Sequence, residues 1–340
     1  MMSKNNTPTQ KTKHKVLPLL LILLVLVAAA AVAVGVMGKD KDKEEKQPEP
    51  ETVQEEDSGL EEGQVVYNGV TYEYNKELET LLFLGVDKQE SEFAEHSSGW
   101  GGQADCILLF IMDPEQQTIT TLQVSRDTMV DIDIYSEGGD KIATEKGQIT
   151  LQYAYGDGKA RSCWLMEQAV SKLLYGTEID GYFAMNLEGF SKATDLVGGV
   201  ELTVPEDYTK IDPAFQKGAT VTLDGELAEK YVRSRDTETL GSNNDRMERQ
   251  AQFLEALAQK MTQSGGNAAT YTKLFTELQD HIVTDMNADD LASLSDYEFT
   301  ETIKAPGETR AGEEHDEFYT DEEALYELIL ELFYEPVQQS

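Results

Sequence analysis

The stretch that most constrains this chain runs from Val16 to Met37, 22 uncharged and almost wholly apolar residues. A helix needs about 20 such residues to cross the hydrocarbon core of a bilayer. Lys4, Lys11, Lys13 and Lys15 precede the run, and no acid does. A signal peptide has the same polarity, and Ala31-Val32-Ala33 offers small residues for cleavage. Its apolar region, however, runs only about 7–15 residues. The length therefore predicts an uncleaved single-pass helix over 16–38, with 1–15 as a cytoplasmic tail. Lys39, Lys41, Lys43 and Lys46 follow the span, so the basic residues on its two sides balance. The acid-free leader and the large domain beyond favour a cell-membrane protein with its C-terminal domain extracellular.

Residues 39–65 are charged, proline-bearing and nearly devoid of large apolar side chains. Such a segment cannot bury enough surface to offset the entropy of ordering, and reads as a disordered acidic tether. From 66 to 338 the pattern alternates between strands and helices. Leu81–Val86 is a buried-strand run, and Ile107–Met112 turns through Asp113-Pro114 into Ile119–Val124 as a hairpin. Apolar residues recur at helical spacing over Trp164–Leu174 and Met247–Met261. Tyr182–Met185 and Val200–Val204 read as strands around a helix containing Phe190 and Leu196. Between about 262 and 320 the pattern gives two helices and one strand. A last helix opens at Thr320, with Thr320 and Glu323 matching a capping box. The sum is one α/β/α domain with a mixed central sheet.

The formal net charge is −36, which excludes nucleic acid as a partner, since phosphate-backbone binding needs a basic surface. Cys106 and Cys163 lie in no metal-ligand spacing, and whether they pair is open. None of the four histidines sits in a hydrolase motif. An anionic ligand would need a local cationic pocket, and one stretch offers it. Of seven arginines, Arg233, Arg235, Arg246 and Arg249 fall in YVRSRDTETLGSNNDRMERQ. Arg233 and Arg235 share a face if the segment is extended, while Arg246 and Gln250 share one helical face. Arg249 is turned away and reads as a surface residue. Ordinary surface ion pairs are the bland alternative for all of these, worth about 0–1 kcal/mol each. Asp87, Asp105 and Arg126-Asp127 sit at strand ends, where α/β folds tend to bind ligands. Carboxylates suit a hard cation, and guanidinium groups grip phosphoryl oxygens.

The series LLFLGVD, QADCILLFIM, TLQVSRDTMVDI, YAYGDG, MNLEGF, DLVGGVELTVP, KGATVTLDGELAEKYVRSR and DRMERQ resembles the LytR-CpsA-Psr family of cell-envelope proteins over residues 81–257. That resemblance implies a magnesium-dependent phosphotransferase of a Gram-positive bacterium. It would move an anionic glycopolymer (teichoic acid or capsular polysaccharide) from a polyprenyl-pyrophosphate carrier to peptidoglycan. Matched by position, Asp87 and Asp105 would hold the metal. Arg126, Arg233, Arg235, Arg246 and Gln250 would bind the pyrophosphate, with Asp105 and Arg126 catalytic. Asp127 either orients Arg126 or is structural. The family commonly has Arg-Ser-Asp where Gln103-Ala104-Asp105 stands, and Lys-Ile-Asn where Gln148-Ile149-Thr150 stands. With Gln103 in place of an arginine, the alternative is a non-catalytic binder of polyprenyl phosphate or wall polymer. A lipid tail would need an apolar cavity, with Leu173, Leu174, Phe183, Phe190 and Phe253 as candidates. Amides of the Gly-rich loop at Ser98–Gly102, beside His96 and Trp100, could replace the missing donor.

Overall fold

A computed structural model describes residues 60–88, 97–99, 101–236, 239–263, 276–286, 297–313 and 315–337. The expected cytoplasmic tail, membrane span and most of the tether lie outside the described residues, as do His96 and Trp100. Among the described residues no helix is long and apolar enough to cross a membrane.

The chain opens with a hairpin, β1 (Gln64–Tyr67) and β2 (Val70–Tyr74). Its two-residue turn is Asn68-Gly69, with φ of 48° and 79°, the left-handed pair that a tight hairpin requires. Next come β3 (Glu79–Asp87), β4 (Gln103–Asp113) and β5 (Thr118–Val124), paired antiparallel in that order. β3 and β4 are buried on both faces, which is why they read as continuous apolar runs rather than alternating ones. A further hairpin, β6 (Met129–Tyr135) with β7 (Lys141–Gln148), follows. After it come the short α1 (Leu151–Ala154) and α2 (Ala160–Leu173). β8 (Gly181–Asn186) lies parallel to β3 and runs directly into α3 (Leu187–Leu196). β9 (Val200–Thr203) and β10 (Thr220–Leu223) form a small ribbon ahead of α4 (Gly225–Arg233) and the long α5 (Ser242–Gln263).

β11 (Ile282–Thr284) and β12 (Glu298–Lys304) complete a six-stranded mixed sheet of order β11-β8-β3-β4-β5-β12. β13 (Gly307–Ala311) and β14 (Asp316–Thr320) make the last hairpin. α6 (Glu322–Phe333) leads into β15 (Tyr334–Pro336), which pairs back onto β2. The region after α5 thus has more strand than the single strand expected. β12 and β13 are mostly exposed, with few apolar positions to mark a face. Much of what was read as two helices falls outside the described residues. The last helix is capped not by Thr320, which ends β14, but by Asp321, whose carboxylate accepts the Ala324 N–H at 3.1 Å.

Helices cover both faces of the sheet. Ala193, Ala228, Tyr231, Phe253 and Leu257 from α3–α5 pack on one side with Phe83 and Phe110. Tyr153, Met166, Val170, Ile329 and Phe333 from α1, α2 and α6 pack on the other with Leu82 and Leu109. Cys106 belongs to the first layer and Cys163 to the second, and both are free. The sheet stands between them, so no disulfide forms.

The second layer also buries Glu167, 9 % exposed. Burial first, and Asp285 second, push its carboxyl from an ordinary 4.5 up to about 8. Folded Glu167 then keeps its proton where the unfolded chain has lost it, so stability falls as pH rises from 4.5 to about 8. Glu167→Gln keeps the size and removes the titration. Urea unfolding should match the parent near pH 5 and show a gain of about 2–3 kcal/mol near pH 8.

Candidate functional site

The C-terminal ends of β3, β5 and β8 and the first residues of β4 meet at one edge of the sheet. Asp87 closes β3, Asn186 closes β8, and Arg126 lies two residues past β5. Asp105 arrives through a local irregularity. Gly85 pairs with Cys106 but Val86 pairs with Ala104, so Asp105 is an extra residue with no ladder partner. This bulge reverses the strand's alternation. Cys106 and Leu108 face the layer of α3–α5, yet Ala104 joins the opposite layer with Ile107. Bulges re-aim a side chain in this way beside binding sites. A Cβ at Gly85 would come within 2.8 Å of the Cys106 Cβ, so the close crossing there demands glycine.

The re-aimed carboxylate is gripped from two sides. Arg126 Nη1 donates to Asp105 Oδ1, and Arg246 Nη1 donates to Oδ2 at 3.0 Å. Arg126 Nη2 donates to Gln103 Oε1 at 2.6 Å, and its Nε lies 3.4 Å from Asp127. Gln103 therefore fixes Arg126 rather than supplying another charge. Asp127 lies beneath the site, 2 % exposed, and also faces Arg235 at 3.7 Å. Burial raises its carboxyl against the pull of Arg126, Arg235 and Arg246. Gln148 donates to Asp127 at 3.0 Å and to the Asp316 carbonyl at 2.8 Å. Burial pulls the Arg246 guanidinium down and Asp105 opposes it.

Two of the arginines are thus frame and two are rim. The side chains of Arg246 and Arg126 are 3 % and 11 % exposed, against 38 % and 22 % for Arg233 and Arg235. Arg233 is the last residue of α4, 3.3 Å from Asp87, and Arg235 follows two residues beyond. The pair does not sit on a strand. Its geometry is set instead by a helix ending in extended backbone at Ser234.

Arg249 corrects the sequence reading. It is 2 % exposed, not a surface residue. Its Nε donates to the Tyr231 carbonyl at 2.7 Å, its Nη2 to the Ser234 carbonyl, and its Cζ lies 4.7 Å from the centre of the Tyr208 ring. Gln250 Nε2 donates to the Val232 carbonyl at 3.2 Å. Together they satisfy carbonyls that the C-terminus of α4 leaves without intrahelical donors, and so aim Arg233 and Arg235. Asn243 was also missed. It is 3 % exposed, takes Arg246 Nη2 at 2.6 Å and donates to Ser125 at 3.1 Å, joining α5 to the end of β5. An asparagine one residue into a helix carries no sequence signal for that task.

Below the rim lies a narrow pocket of about 40 Å³. Asp87, Asp105, Arg233, Arg246 and Gln250 contribute to its lining, and Phe83, Met185, Leu187, Phe190 and Leu254 make the wall apolar. Of the residues expected to line a lipid cavity, Phe190 does so. Phe183 and Phe253 are plain core of the same layer, and Leu173 and Leu174 pack on the far side of the sheet. Cys106 touches the pocket, but burial pushes its thiol up to about 12, which removes it as a nucleophile. Among the described residues no cluster of three or more His, Cys, Asp or Glu could hold a metal. Two carboxylates nevertheless border one pocket, and a carboxylate has about four lone-pair sites, so Asp105 retains acceptor capacity beside its two arginines. That donor set fits a magnesium ion, which takes one or two carboxylates and completes its shell with water and substrate phosphate.

The LytR_cpsA_psr family model matches residues 27–327. The polyisoprenyl-teichoic acid–peptidoglycan teichoic acid transferase TagU of Enterococcus faecalis is 29% identical over 224 residues, 66% of this chain and 67% of the relative. The transferase of the same description TagV of Bacillus subtilis is 28% identical over 214 residues, 61% of this chain. The chain spans about half of that relative's length, 49%. The crystal structure of B. subtilis TagV aligns with a TM-score of 0.55 at 23% identity, covering 76% of this chain and 97% of that one, and shares the fold. Since the family match takes in nearly the whole domain, including every residue of the arginine-lined pocket, this chain belongs to the LytR_cpsA_psr family.

Proposed function

We propose that the protein is a phosphotransferase joining an anionic glycopolymer, carried on polyprenyl pyrophosphate, to peptidoglycan at the outer face of the membrane. The observation that carries this reading is that Arg233 and Arg246 line an otherwise largely apolar pocket, with Arg126 bonded to the lining carboxylate of Asp105 and Arg235 beside Asp127. A ligand with a charged head and a hydrocarbon tail matches both halves. The names of the curated relatives, polyisoprenyl-teichoic acid–peptidoglycan transferases, support the same donor and acceptor.

In this reading a sugar hydroxyl attacks the phosphorus that bears the glycan, the bond to the bridging oxygen breaks, and polyprenyl monophosphate leaves. Arg233 and Arg235, on the rim, contact the phosphoryl oxygens bidentately and hold them for in-line attack. Arg126 and Arg246, fixed by Asp105, Gln103 and Asn243, supply a preorganised positive field at the leaving oxygens. Both oxygens of Asp105 accept guanidinium groups, whereas Asp87 faces a single arginine, so Asp87 is the carboxylate with an oxygen left to receive the hydroxyl proton. Asp87 and Asp105 would hold magnesium, which supplies Lewis-acid neutralisation of phosphate charge.

Full-length protein in detergent, given lipid-linked polymer and peptidoglycan fragments, should form a covalent product only with magnesium present. Asp87→Asn should raise the magnesium requirement by about tenfold or more. Full activity in excess chelator would refute the metal assignment. Tight binding without any product would instead favour a binder, the role that the neutral Gln103 leaves open.

A further inference from the structure

The pocket wall holds a buried polar atom that no arginine meets. Asn186 is 1 % exposed and lines the pocket. Its Oδ1 caps α3, accepting the Gly189 N–H at 2.8 Å. That bond fixes the orientation of the amide, so the opposite atom, Nδ2, is an N–H donor. Nδ2 has no hydrogen-bond partner among the described residues and is shielded from solvent. A buried donor left unmet is destabilising and calls for an acceptor. The apolar wall of Met185, Leu187, Phe190 and Leu254 supplies none.

α3 adds to the case. It is ten residues long, starts at Leu187 on the pocket wall, and presents first-turn amides that lack intrahelical acceptors. The N-terminal end of a helix favours negative charge. Glu188, the acid in that turn, is exposed to solvent rather than turned into the pocket. Close packing makes the arrangement specific, since a Cβ at Gly189 would fall 2.7 Å from the His281 Cβ. Gln250 also borders the pocket with an unpartnered atom, but that atom is the acceptor Oε1, its nitrogen being bonded to the Val232 carbonyl.

We infer that Asn186 and the first turn of α3 form a further phosphoryl-oxygen contact of the pocket, facing a pyrophosphate from the side the arginines do not occupy. The inference rests on the pyrophosphate reading above and adds a neutral donor to it. The ligand class is a pyrophosphate, esterified to a lipid or free. An uncharged donor there grips an oxygen without adding to the repulsion among four guanidinium groups.

Asn186→Asp tests this directly, because aspartate keeps the capping oxygen and replaces the free N–H donor with a carboxylate oxygen. The probes are geranylgeranyl pyrophosphate and inorganic pyrophosphate, titrated calorimetrically into full-length protein in detergent. The variant should keep the parent melting temperature and bind geranylgeranyl pyrophosphate at least about tenfold more weakly. An equal weakening for inorganic pyrophosphate would place the contact on phosphate as such. A loss confined to the lipid probe would place it on the lipid-linked phosphate. Asn186→Ser, which keeps a cap and a hydroxyl donor, should retain more affinity than the aspartate variant, and decides the matter if Asn186→Asp folds poorly. Parental affinity in the aspartate variant, or equal affinity in the two variants, would overturn the inference. A parent protein that binds neither probe would overturn the pyrophosphate reading itself, and the inference with it.

Discussion

Replacing Arg233 and Arg235 together by alanine is expected to lower the transfer rate by about a thousandfold or more, the scale on which arginines act in phosphoryl transfer. The fold should hardly notice. Both side chains stand at the rim, 38 % and 22 % exposed, and their acidic neighbours lie 3.3 and 3.7 Å away. Ion pairs of that exposure contribute about 0–1 kcal/mol. α4 ends where it does because Arg249 and Gln250 bond its last carbonyls, and the double variant leaves those contacts alone. Thermal unfolding should therefore move by no more than a few degrees while the rate collapses. A parental rate from the double variant would remove these residues from the site.

Asp105→Asn should behave in the opposite way, failing first in stability. Its carboxylate is the shared counter-charge of Arg126 and Arg246, and the three side chains are between 3 % and 14 % exposed. Removing one member of a buried charged set strands the others, at a cost of about 3–5 kcal/mol. Asparagine compounds this by turning an NH2 group toward a guanidinium donor. Adding Arg246→Gln to the same chain removes one stranded charge and should recover part of the loss. The two residues then couple in a double-mutant cycle of urea unfolding. A cost below about 1 kcal/mol for Asp105→Asn would contradict the clamp.

The contrast between these variants marks what was and was not legible in the sequence. Buried strands such as Leu81–Val86 and the hairpin through Asp113-Pro114 announce themselves by apolar runs and turn chemistry, and the α/β layering follows. The site residues were legible as strand-end acids and as an arginine cluster. Which arginine does what was not. Arg249 looked peripheral because spacing within one helix says nothing of the neighbouring helix whose end it caps. Asp105 gave no hint of its bulge, since the parity change at Ala104 depends on pairing with β3. Asp316, from the last hairpin, accepts the Gly241 N–H at 2.9 Å just before α5. Contacts of that kind, between segments far apart in the chain, leave no local pattern.

Phosphoryl transfer from a lipid pyrophosphate is tested most directly by the lipid that is released. Full-length protein would be incubated with magnesium, polyprenyl-pyrophosphate-linked glycopolymer and peptidoglycan fragments, and the lipid fraction weighed by mass spectrometry. Attack at phosphorus predicts polyprenyl monophosphate, formed in step with a peptidoglycan product joined to the polymer through a phosphodiester. Polyprenyl pyrophosphate beside a phosphate-free glycosidic product would mean attack at the sugar carbon, and would contradict the account.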